Sequence, residues 1–155
     1  MKIGLFTALI VFLADLISKS LLLNYMNNSK KVLEITDFFS IILVWNKGIS
    51  FSMFANGAPY MPWVLSFLSL AIVAVLLFWL KNETNKYAII SIGLIIGGAL
   101  GNVYDRIKYG AVVDFLDLHI GTWHWPAFNI ADSAICLGSF VLIILCFCSK
   151  SMGKK

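Results

Sequence analysis

The sequence predicts an all-α membrane protein, four transmembrane helices with a small β-sheet cradle at the outer face. Three observations carry that expectation. First, 60% of the 155 residues are hydrophobic and 13% are charged, with a mean hydropathy of +0.88. An average soluble domain carries about 25% charged residues, so a soluble body of this composition would have too few charges to coat itself. Second, four segments reach the roughly 20 mostly apolar residues that a helix needs to cross a bilayer. Third, the two long connections between spans carry β-branched and aromatic runs punctuated by Gly, Asn and Pro, the marks of strands and turns. The hydrophobic content excludes disorder. The three cysteines (Cys136, Cys146, Cys148) are odd in number and share one apolar run, which speaks against a disulfide scaffold.

The first span, about residues 3–23, is interrupted by Asp15 and Lys19. Its start imitates a signal peptide, but an h-region should not hold those charges and no small-x-small cleavage site follows cleanly. A retained helix is therefore expected. The second span, 61–80, holds no charge; the third, 87–104, is uncharged and closed by Asp105-Arg106; the fourth, 128–148, has Asp132 as its single charge. One domain, 1–155, follows, with outer loops 24–60 and 105–127. In the first outer loop, Phe38–Trp45 and Ile49–Phe54 read as strands around an Asn46-Lys47-Gly48 turn. In the second, Gly110, Gly121 and Pro126 break the chain, and Trp123, Trp125 and Phe128 are placed as in an interfacial belt.

Placing both termini in the cytoplasm puts six Lys/Arg inside and five outside. The short Lys81–Lys86 loop and the Lys-rich tail favour that orientation. The net charge of +4 suits anionic lipid headgroups, and no dense basic patch points to nucleic acid.

A charge at membrane depth costs at least about 2.5–3.5 kcal/mol by insertion scales, so each one asks for a reason. Asp15 and Lys19 are spaced i,i+4 on one helix face, either a snorkelling pair or part of a polar site. Asp105 at a helix C-terminus is unfavourable and needs a partner, which Arg106, Lys19 or Asn102 can supply. Asn129 can cap the fourth helix, which places Asp132 at the third helical position and within reach of the cap's N–H; capping and function are both open. Asp114 sits in an apolar run, whereas Asp117 is explained as solvated or structural. If Asp114 faces Asp132, two close carboxylates share a proton. One then takes a proton from water while the other polarises a carbonyl, the logic of aspartic proteases. No cofactor and no metal is expected: His119 and His124 read as loop polar groups. The cysteines read as inert packing residues, and Gly93, Gly97, Gly98 and Gly101 as sites of close helix approach.

Three stretches, Gly98–Arg106, Gly110–Phe115 and Phe128–Ser133, resemble in order and spacing the signature of the lipoprotein signal peptidases (signal peptidase II). Asp15-x-x-x-Lys19 and Asn46-Lys47-Gly48 fit the same pattern, and the resemblance runs along essentially the whole chain. It implies a membrane aspartic endopeptidase of the bacterial inner membrane with its active site at the outer face. Such an enzyme removes signal peptides from prolipoproteins just before the diacylglyceryl-modified cysteine, and globomycin-type cyclic peptides inhibit it. By motif, Asp114 and Asp132 fall on the catalytic dyad. Asp15, Lys19, Asn46, Gly48, Gly98, Asn102, Asp105, Arg106, Asn129 and Ala131 fall around the substrate and inhibitor site. The expected partners are the lipidated substrate and membrane lipids, the expected unit a monomer. Trp45, Phe51 and Phe54 are substrate contacts or interfacial anchors. A proton- or ion-coupled transport subunit is the competing reading; clustering of the carboxylates at one end, with no charge inside the second and third spans, argues against a relay.

Overall fold

The computed structural model describes residues 1–27, 32–48 and 60–152. Four helices, α1 (Lys2–Asn27), α2 (Met61–Asn82), α3 (Lys86–Tyr109) and α4 (Ile130–Met152), are joined by four strands, β1 (Val32–Thr36), β2 (Phe39–Asn46), β3 (Val112–Ile120) and β4 (Trp123–His124). All four helices are long and apolar enough to span a membrane. Helices satisfy their own backbone groups, which is the condition for crossing lipid.

α3 is the axis. Of its spanning window 72% is buried, against 28% or less for the others, and it packs on α1, α2 and α4. Small residues permit this. A Cβ at Gly93 or Gly97 would strike the backbone oxygens of Gly4 and Ala8 on α1, and one at Gly98 would strike Ala131 O on α4. The expected role of these glycines in close approach holds, and Gly4 and Gly138 share it. An apolar cluster (Ala8, Val73, Leu80, Ile92, Ile96, Ala99) fills the space between α1, α2 and α3.

The sheet runs β1-β2-β3-β4, each pair antiparallel. A second cluster joins Leu22 and Met26 of α1 to Val113 and Phe115 of β3. The sheet is thereby seated on the end of the bundle where α1 and α3 finish and α2 and α4 begin.

Several expected boundaries move. The first hairpin pairs β1 with β2 through Asp37-Phe38, and Asn46 ends β2, with Lys47-Gly48 directly after it. Ile49–Phe54, with Phe51 and Phe54, lies outside the described residues. Most of the second connection is strand, and α3 continues to Tyr109, where Gly110 (φ 71°) closes it by donating its N–H to Arg106 O at 3.0 Å. Asp105 and Arg106 are therefore in the last turns of a helix and not beyond it. α4 starts at Ile130, because Phe128 is tied to β3 by backbone bonds with Leu116. The cysteines are free and exposed on α4.

Candidate functional site

The site forms where the N-terminus of α4 meets β3. Asn129 is fully buried and caps α4: its Oδ1 accepts from Asp132 N at 2.8 Å, and Asp132 Oδ2 accepts from Asn129 N at 3.3 Å. This is the reciprocal capping pair, so the capping role of Asp132 is real. It leaves Asp132 Oδ1 over, which accepts from Asn102 Nδ2 at 2.8 Å. The amide of Asn129 is equally divided, donating to Asp114 Oδ1 at 2.7 Å, Asn102 Oδ1 at 3.2 Å and Val113 O at 3.3 Å.

Asp114, 2% exposed, receives a second donor. Asn46 Nδ2 reaches its Oδ2 at 2.9 Å, while Asn46 Oδ1 is occupied by Gly48 N at 2.9 Å. The Asn-x-Gly spacing thus orients the amide: the glycine N–H holds the oxygen back and the NH2 faces the carboxylate. Burial first, and the charge of Asp132 second, push the Asp114 carboxyl up to about 6, against the amide donors of Asn46 and Asn129 and the Lys19 charge.

A buried ion cluster lies behind this pair. Lys19 Nζ contacts Asp15 Oδ2 at 2.6 Å, Asp105 Oδ2 at 2.9 Å and Asn102 Oδ1 at 3.3 Å. Asp15 Oδ1 accepts from Ala131 N at 3.0 Å, and Asp105 Oδ2 accepts from Val113 N at 3.1 Å. The cluster therefore anchors the residues next to both Asp132 and Asp114. Gly101 gives Asp15 its room, since a Cβ there would lie 2.5 Å from Asp15 Oδ2. Asp15 and Lys19 are 0% and 2% exposed, which settles their alternative: a snorkelling pair would reach water. Lys19 is the partner that Asp105 requires. Among the described residues no buried side-chain nitrogen or oxygen lacks a hydrogen bond.

Among the described residues, two cavities open on Asp132. One of about 330 Å³ lies between α2, α3 and α4 and is lined by Asn46, Ile95, Asn102, Arg106 and Ile135 among others. The other, about 570 Å³, lies between α4 and the sheet; Asp114 and Asp132 both line it, with Trp125, Phe128, Leu137 and Phe140. A buried carboxylate, Asp114, and a half-buried one, Asp132, thus lie at the mouths of apolar clefts, and two close carboxylates can share one proton and act on a bond held between them.

A family model described as Signal peptidase (SPase) II matches residues 7–148. The chain belongs to the signal peptidase II family. It is 46% identical over 151 residues to the lipoprotein signal peptidase of Polynucleobacter necessarius subsp. necessarius (strain STIR1), covering 96% of this chain and 90% of that one. To the lipoprotein signal peptidase of Pseudoalteromonas atlantica it is 38% identical, covering 94% and 90%. A solved bacterial membrane enzyme, determined by the in meso method at 2.3 Å resolution, superimposes with a TM-score of 0.83 at 26% identity, over 100% of this chain and 93% of that one. This signal peptidase II homologue is accordingly a multi-pass membrane peptidase.

The structure brings together all the residues expected at the site: Asn46 and Gly48 from the end of β2, Asp15 and Lys19 from α1, Gly98, Asn102, Asp105 and Arg106 from α3, Asp114 from β3, and Asn129, Ala131 and Asp132 from the start of α4. Beside them, Asp117 takes the structural branch of its expectation: it is 3% exposed and accepts from His124 Nδ1, 2.9 and 3.1 Å from its two oxygens. One reading is corrected: His119 and His124 are not loop residues but directly opposed on β3 and β4, their rings stacked 5.0 Å apart. No residue spacing announced this pairing. It depends on a hairpin at Gly121 (φ 61°), which was read only as a break.

Proposed function

We propose that the chain is a membrane aspartic endopeptidase that removes the signal peptide from diacylglyceryl-modified bacterial prolipoproteins, cutting before the lipidated cysteine. One observation carries this reading: Asp114 and Asp132 line one apolar cleft, each carboxylate held by amide donors and linked to the other through Asn129. Asp132 sits in the first turn of α4, where the helix N-terminus favours an anion. Burial first and the Asp132 charge second raise the Asp114 carboxyl, and in the proposed cycle Asp114 starts protonated. Asp132 takes a proton from a water whose oxygen attacks the scissile carbonyl carbon. Asp114 gives its proton to the carbonyl oxygen. The tetrahedral diol then collapses: one of its hydroxyls returns a proton to Asp114 as the carbonyl re-forms, the C–N bond breaks, and the proton held on Asp132 goes to the leaving α-amine of the cysteine, which restores the starting protonation of the pair. Lys19 and Arg106 offset the negative charge on that end of the bundle.

The reading places the sheet-bearing end at the outer membrane face, with both termini cytoplasmic in the inner membrane, so that a membrane-anchored substrate presents its bond at the depth of the dyad. The unit proposed is a monomer. A globomycin-type cyclic peptide would compete for the cleft. The test uses purified protein in detergent with a lipidated prolipoprotein and a gel-shift readout. The expected outcome is cleavage, abolished by Asp114→Asn, by Asp132→Asn and by globomycin. Wild-type turnover in either variant would remove the dyad assignment.

A further inference from the structure

A polar track leaves the dyad along the sheet, and the chemistry above does not use it. In β2, Ser40, Ile42, Val44 and Asn46 alternate onto one face. Val44 is paired with Asp114 and Ser40 with Asp117. Four residues of β2 thus oppose three of β3, and the irregularity falls where Phe115 and Leu116 both donate their N–H to Phe128 O, at 3.0 and 2.8 Å. This bulge returns Asp117 to the face of Asp114, although the two are an odd number of residues apart. Both then line a cavity of about 460 Å³ with Asn46, His124, Trp125 and Pro126. His119 continues the row: its Nε2 lies 3.0 Å from Ser40 Oγ and its ring stacks on His124. From Asp114 to His119 the track is about 16 Å long, room for about five residues of extended chain.

Asp117 is buried while the His124 side chain is 55% exposed. Against a carboxylate His124 Nδ1 is the donating nitrogen, which leaves Nε2 the acceptor of the neutral ring. Among the described residues, the two cavities that reach Asp132 open between helices or against the aromatic face of α4, where a hydrophobic signal segment and acyl chains fit. The track runs instead over the sheet, away from the spans.

We propose that this track is the subsite for the substrate segment that follows the lipidated cysteine, and that Asp117, His119 and His124 make it prefer small hydrogen-bonding residues there over branched aliphatic ones. The inference rests on the peptidase reading above. Asp117 is the positioning residue, acting through His124; the imidazoles are the groups that meet the substrate.

The test compares two lipidated substrates that differ only in the two residues after the cysteine, Ser-Asn in one and Leu-Ile in the other. One or two hydrogen bonds give the wild-type enzyme about a tenfold higher kcat/KM for the polar substrate. His124→Ala and His119→Ala bring that ratio towards one. His124→Gln, which keeps a polar contact to Asp117, retains part of it. Equal kcat/KM for both substrates in the wild type, or a full ratio in all three variants, overturns the subsite. Failure of the wild type to cut either substrate is a different result: it overturns the peptidase reading and the subsite with it.

Discussion

Two helix starts at opposite ends of the bundle are built from the same parts and come to opposite ends chemically. At the α2–α3 turn, Asn85 Oδ1 accepts from Tyr87 N and Ala88 N at 2.9 and 3.3 Å. Glu83 beside it accepts from Thr84 N, Asn85 N and Trp79 Nε1, all at 2.9 Å. Every oxygen of that cap is used on local donors in an exposed turn. The Asn85 N–H above all holds the Glu83 carboxyl below its usual value. At the start of α4, an asparagine cap and a carboxylate that takes the cap's N–H are again combined, here reciprocally between Asn129 and Asp132, away from the exposed turn and with groups left over. The spare Asn129 amide goes to Asp114, and the spare Asp132 oxygen goes to Asn102 beside a cavity. Burial there raises a carboxyl, Asp114, where exposure and donors lower one, Glu83. A cap closed on itself contributes stability alone. A cap with unspent valences facing a cleft is available for chemistry.

The largest effect that can break this comparison is catalytic. Asp114→Asn and Asp132→Asn are expected to lower turnover of a lipidated substrate by about 10³–10⁴-fold, the scale of lost acid–base catalysis. Glu83→Gln is expected to leave turnover unchanged, and the same gel-shift assay reads all three. Loss of activity in Glu83→Gln would show that the two caps are not separated in function.

Next in size is the ion cluster behind the α4 cap, which the α3 cap lacks. Lys19→Met strands Asp15 and Asp105 in the interior, an expected loss of about 3–5 kcal/mol, read by thermal unfolding in detergent. Pairing it with Asp105→Asn recovers part of that loss, because one of the two stranded charges is removed. A single variant as stable as wild type would mean that the cluster is reached by water.

The fold class was legible because four apolar runs and a shortage of charge leave few alternatives. The candidate site was legible for a related reason: in a chain so poor in charge, Asp15, Lys19, Asp105 and Asp132 each stand out against lipid. What periodicity could not show was the sheet's pairing. β3 reads as a loop with one odd carboxylate, because Val112–Ile120 is buried on both faces over most of its length and does not alternate. The bulge at Phe115-Leu116 then puts Asp117 on the face that simple alternation denies it. The exit of α3 was misplaced for an electrostatic reason, since Asp105 reads as a terminator until Lys19, 86 positions earlier, is known to lie against it.

A smaller effect tests the coupling of the α4 cap to Asp114. Its carboxyl titrates near 6 because of burial first and the Asp132 charge second. Asp132→Asn removes the second cause and leaves the first, so the midpoint is expected to fall below about 6 while staying above the free value. The carboxylate infrared band of wild type against Asp132→Asn measures it. The stability consequence has a definite sign. A folded-state value above the unfolded one means that protonated Asp114 contributes stability in full below about pH 4, and that the contribution is lost as pH rises through about 6. In Asp132→Asn that window narrows. An unmoved midpoint would show that the two carboxylates do not sense each other.

The smallest effect belongs to the closed cap. Asn85→Ala removes the acceptor for two N–H groups at the start of α3 and is expected to cost about 1 kcal/mol, with kcat/KM untouched. The cost is small because those N–H groups lie in an exposed turn and can turn to water, and because Glu83 still holds Thr84 N and Asn85 N. That remaining hold is itself pH-dependent. The folded-state Glu83 carboxyl lies below its unfolded value, so its contribution is present above about pH 4.5 and fades as pH falls through the lower, folded value. The melting temperature of Asn85→Ala is therefore expected to drop further in acid than at neutrality, and Glu83→Gln added to it should flatten that extra drop. Asn129→Ala removes the same kind of cap from α4, yet its loss must appear in turnover as well, because the Asn129 amide also holds Asp114. If Asn85→Ala and Asn129→Ala changed stability and turnover alike, position in the fold would have no bearing on what a cap does.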